Sequence, residues 1–149
     1  MAITASGYFL VTWINILDAT QLAINLDLET HKVAMFTNSI TPNFSTDTAY
    51  GAAPYNANEV SGTGYSAGGT ALTSTAVSES PTGTLMWDAA DTDWSASTIT
   101  NARGALIYAD ALGDEAILLV NFGADYSTNN GLFRIQWASG GVATIDLTP

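Results

Sequence analysis

The spacing of apolar and polar residues changes three times along this chain. From Tyr8 to Leu17 the sequence reads YFLVTWINIL. Phe9, Trp13 and Ile16 share one face at helical spacing, with Leu10, Ile14 and Leu17 beside them. This predicts a short helical segment within residues 1–20, with Ser6 as its cap. The many β-branched residues argue for the alternative, a buried strand. Leu22, Ile24, Leu26 and Leu28 then alternate with polar residues at the period of a strand, Glu29-Thr30-His31 reads as a solvated turn, and KVAMFTN (32–38) reads as a core strand.

The rhythm stops at about 39–70. This long segment holds two prolines and several Asn and Gly residues, with Phe44, Tyr50, Tyr55 and Tyr65 spread along it. A structureless stretch of this length is unusual inside a compact domain. Aromatic side chains in such a loop want a surface to lie on, so these four are the candidate partner-contact residues. Strand signals return in Ala71–Glu79, in TLMWD (84–88) and in Trp94–Thr100, with DAADTD (88–93) as an acidic turn. GALIYAD (104–110), EAILLVNFG (115–123), GLFRIQW (131–137) and VATIDL (142–147) follow, the last two separated by the tight turn Ser139-Gly140-Gly141. They predict a C-terminal antiparallel β-meander over 104–147. The whole, 1–149, reads as one mainly β domain. The expected architecture is an antiparallel β-sandwich or β-barrel-like domain with a short N-terminal helix and a long interaction loop.

Composition narrows the function. The net charge is −11, and the only cations are Lys32, Arg103 and Arg134. Three scattered cations cannot displace counterions from a phosphate backbone, so nucleic acid is excluded as a partner, and anionic membranes with it. The absence of cysteine removes disulfides and thiolate chemistry. The N-terminal apolar run has no basic residue before it and is too short to span a bilayer, so neither a signal peptide nor a membrane segment is expected.

Candidate chemistry is sparse. Gly62, Gly64 and Ala67 spell G-x-G-x-x-A, but a strand pattern ending in proline follows rather than a helix, so a dinucleotide cradle is rejected. His31 is the single histidine, too little for a triad in a polar turn or for a histidine-based zinc site. Asp88, Asp91 and Asp93 are the best hard-ligand cluster for Ca²⁺, but they lack the EF-hand spacing and read as a solvated turn. No catalytic, cofactor or metal residues are assigned. Trp87 and Trp94, with the loop tyrosines, could stack on sugars, although aromatics at strand positions belong more often to a core.

The stretches KVAMFTNSITPN (32–43), NEVSGTGYSAGGTALTSTAV (58–77), MWDAADTDWSASTIT (86–100), ALIYAD (105–110) and LFRIQWASGGVATIDL (132–147) occur in the order found in a family of small virion structural proteins of tailed bacteriophages, which this chain resembles. The resemblance spans most of the chain. It implies a β-rich, non-enzymatic domain made in the host cytoplasm and carried on the phage head as a decoration (cement) protein. The expected partners are the major capsid protein and further copies of itself. A tail or fibre component that binds carbohydrate is the alternative, and a small hydrolase using a carboxylate pair is a third reading.

Overall fold

The computed structural model describes residues 2–18, 20–27 and 30–148. Its elements are β1 (Gly7–Tyr8), α1 (Leu10–Leu17), β2 (His31–Phe36), β3 (Thr70–Ala71), β4 (Ala76–Glu79), β5 (Thr84–Asp88), β6 (Thr92–Ser97), β7 (Ala102–Ala109), β8 (Glu115–Tyr126), β9 (Gly131–Ile135) and β10 (Ala143–Asp146). The strands form a five-stranded sheet in the order β1-β8-β7-β2-β3, a three-stranded sheet β10-β5-β4 and a two-stranded sheet β6-β9. All pairings are antiparallel. The fold is mainly β and sandwich-like, and the described strands do not close into a barrel.

At its centre, in β2, β7 and the first half of β8, the five-stranded sheet is buried on both faces, which explains its sequence. Val33, Met35, Ala105 and Ile107 belong to one core cluster, together with Trp87, Trp94, Phe133 and Ile135 from the smaller sheets. Their neighbours Ala34, Phe36, Leu106 and Tyr108 belong to a second cluster, with Ile3, Phe9, Ile40 and Tyr55. A strand covered on both sides needs no polar phase, so KVAMF, ALIYA and AILLV run apolar without alternation. By contrast β9 alternates, with Phe133 and Ile135 buried and Leu132 and Arg134 exposed.

Four expectations are corrected. The expected C-terminal meander stops after the β7–β8 hairpin. β9 instead pairs with β6, placing Trp94 opposite Phe133 and Asp93 opposite Arg134. Gly141 N–H closes the turn on Ala138 O, and Val142 N–H then donates to Trp87 O, so β10 is delivered to β5. The alternation at Leu22, Ile24 and Leu26 survives as half-buried residues between exposed ones, but these residues form no strand, and Leu28 lies outside the described residues. Period 2 selects a face; it does not supply a pairing partner. Ser6 does not cap the helix: Phe9 is the N-cap residue, and Ser6 Oγ accepts from Asn121 N–H at 2.8 Å. His31 is not a solvated turn residue; it opens β2, fully buried, with its ring edge-on to Trp87 at 5.3 Å.

Candidate functional site

The predicted contact loop is present as an irregular segment, but its aromatics face inward. Tyr55 is 2 % exposed and meets Phe9 and Phe36 edge to face. Phe44 packs against Phe9, and Tyr50 stacks on Tyr108 with ring centroids 4.6 Å apart. Tyr65 lies on the other side of the sheet, stacked on Trp94. The candidate contact residues Phe44, Tyr50, Tyr55 and Tyr65 thus lie on the protein's own central sheet: Tyr55 is buried, and the other three keep part of their surface exposed. Apolar area buried within the chain stabilises the fold whether or not a partner is present.

The loop is fastened at Glu59. Its carboxylate accepts from the hydroxyls of Tyr50 at 2.9 Å and Tyr65 at 2.7 Å, and from Gly68 N–H at 2.8 Å. Tyr65 Oη also accepts from Met35 N–H at 2.9 Å, and Val60 N–H donates to Met35 O. β3 pairs only with Lys32 and Val33 of β2, so residues 58–65 cover the remaining edge of that strand. The glycines of EVSGTGYSAGG allow the loop to approach backbone closely, Gly62 beside the end of β6 and Gly69 at β2. A Cβ at Gly62 would stand 1.8 Å from Thr98 O, and one at Gly69 1.7 Å from Val33 O. Sequence reasoning missed Glu59, although it is the only carboxylate between Asp47 and Glu79.

These surroundings change the ionisation of the tyrosines. Burial, and then the Glu59 carboxylate, push Tyr50 up to about 12. Burial raises Tyr55, Tyr65 and Tyr108 well above the ordinary phenol value, and Asp47 adds to the effect at Tyr55 and Glu59 at Tyr65. The folded state thus holds phenol protons that the unfolded chain releases near pH 10.0. This contribution to stability is complete below about pH 10 and is lost as pH rises toward the folded values. Denaturant midpoints measured between about pH 9 and pH 11.5 should therefore fall steeply at the upper end. A flat profile would show that the tyrosines ionise freely in the folded protein.

The acidic cluster is dispersed. Asp93 forms a forked ion pair with Arg134 at 2.7 and 2.6 Å, Asp91 accepts from Trp137 N–H, and Asp88 accepts from Ala89 N–H. Among the described residues no three His, Asp or Glu side chains converge as a metal site.

Among the described residues, two apolar surfaces group several exposed side chains. On α1, Thr12 is buried and its hydroxyl donates to Ala116 O, while Leu10, Ile14 and Leu17 are 50, 48 and 81 % exposed. Spaced at i, i+4 and i+7, they form an apolar ridge. The second surface is a cleft of about 590 Å³ between the end of β8 and β9, with Val120, Phe122 and Tyr126 on one side and Leu132 through Ala138 on the other. Leu132 and Tyr126 are about half exposed. Leu132 was the available signal in the sequence, because it occupies the polar phase of GLFRIQW. Among the described residues no helix is long and apolar enough to cross a membrane. No family model, curated protein or solved structure matches the chain.

Proposed function

We propose that this chain is a non-enzymatic virion structural protein that attaches to the major capsid protein lattice of a tailed phage as a head decoration protein. The observation that carries this reading is the exposed ridge Leu10-Ile14-Leu17 on an otherwise acidic, sandwich-like domain. An apolar stripe on a helix is stable in water at a cost, and that cost is removed when a partner covers it. The resemblance to small virion proteins supplies the partner. A protein that binds the assembled lattice and not its separated subunits stabilises the shell by mass action. Net charge of one sign keeps many copies soluble before assembly. The alternative, a tail or fibre module that binds carbohydrate, draws support from the aromatic lining of the cleft by Phe122, Tyr126 and Trp137.

The test replaces Leu10, Ile14 and Leu17 together with serine. All three are about half exposed or more, so the melting temperature should hold. Affinity for particles lacking the protein, read by co-sedimentation, should fall about tenfold or more. Densitometry of purified virions should give hundreds of copies per particle. Wild-type occupancy by the variant, or a handful of copies per virion, would overturn the decoration reading.

A further inference from the structure

The cleft beside β9 has a property that an ordinary ligand pocket lacks. β6 and β9 form a two-stranded sheet, so each has an edge that pairs with no strand. The loop partly closes the edge of β6, where Thr98 N–H donates to Thr63 O and Gly64 lies against Ser97. Among the described residues no strand or loop backbone pairs with the outer edge of β9. The cleft wall there is an unbroken run from Leu132 to Ala138. Side chains on one face of a strand come from alternate residues. A run without gaps therefore places the cleft along the strand's edge, where main-chain N–H and C=O groups emerge. The opposite wall is apolar, with Val120, Phe122 and Tyr126. An occupant that satisfies a row of backbone groups and also fills an apolar wall is an extended polypeptide.

Charge selects its kind. Arg134, the one charged residue that lines the cleft, is neutralised by its ion pair with Asp93, and the other two cations are paired as well, Lys32 with Asp110 and Arg103 with Asp125. A net charge of −11 remains, so a second copy would bring like charge to the same edge. We propose that this cleft binds an extended segment of a basic partner protein as an added strand beside β9, with apolar residues facing Phe122 and Tyr126 and flanking lysines or arginines drawn by the net negative charge of the domain. The inference deepens the attachment role and rests on that reading for the source of the partner. The geometry alone sets the mode of binding.

The probe is the synthetic peptide Lys-Lys-Val-Thr-Val-Thr-Val-Lys-Lys, titrated into the isotope-labelled full chain and followed by amide NMR and hydrogen exchange. Amides between Leu132 and Gln136 should shift and exchange more slowly. The same peptide with glutamates in place of its lysines should bind about tenfold more weakly or worse. Leu132→Lys places a charge on the edge at an exposed position, and it should weaken binding about tenfold while leaving melting unchanged. Four results would each overturn the proposal: no protection on β9, equal binding of both peptides, the same β9 shifts on raising protein concentration alone, or tighter occupancy by cellohexaose. Peptide failure with intact particle binding would leave the decoration reading standing. Peptide binding without particle occupancy would sink the decoration reading alone.

Discussion

Replacing Glu59 with alanine is expected to destabilise the fold by about 3–5 kcal/mol, the cost of leaving three part-buried neutral donors without their acceptor at about 1–3 kcal/mol each. The two tyrosine hydroxyls and Gly68 N–H that now meet its carboxylate would lose their acceptor together. With that acceptor gone, residues 58–68 would be free to lift from the edge of β2. That would also free Met35 N–H, whose acceptor is Tyr65 Oη. The melting temperature should fall by about 10 °C, on the basis of roughly 2–4 °C per kcal/mol for a domain of this size. Glu59→Gln keeps an oxygen where Tyr65 and Gly68 need one and presents an amide to Tyr50, so its loss should be about 1–2 kcal/mol. Chemical denaturation of the three proteins decides the matter. An alanine variant as stable as the wild type would mean that the loop is held by its aromatics alone.

Gly69→Ala should be the more damaging change, with a loss above about 4 kcal/mol or failure to fold. Gly69 has φ +72, and its added Cβ would stand 1.7 Å from Val33 O and 2.8 Å from Ala34 Cα. Both obstacles are backbone in the central strand, and neither can swing aside. Gly51 is the matched control, with φ +83 and nothing within 4 Å of an added Cβ. Gly51→Ala carries the conformational cost alone, about 1–2 kcal/mol. The difference between the two variants measures the close approach itself. Equal losses would show that backbone conformation, and not contact with β2, fixes the glycine at position 69.

The main strands were legible in the sequence because short-range patterning is sufficient to form them. KVAMF, ALIYA and AILLV are apolar runs of strand length, and GLFRIQW alternates. The irregular character of 39–70 was legible too, through its prolines, glycines and missing period. Three features depended on contacts between residues far apart in the chain. The meander failed because a strand's own sequence does not name its neighbour: Arg134 finds Asp93, and Val142 finds Trp87, across separations that local pattern does not encode. His31 looked solvated between polar residues, yet the ring of Trp87 covers it. The loop aromatics signalled correctly that they need a surface, but composition is the same whether that surface belongs to a partner or to the chain itself. Only the tertiary structure decided between these, because a five-stranded sheet with apolar residues on both faces exposes a second face that something must cover. The loop covers that face together with Ile3 and Phe9, while the ridge of α1 and the cleft beside β9 stay exposed.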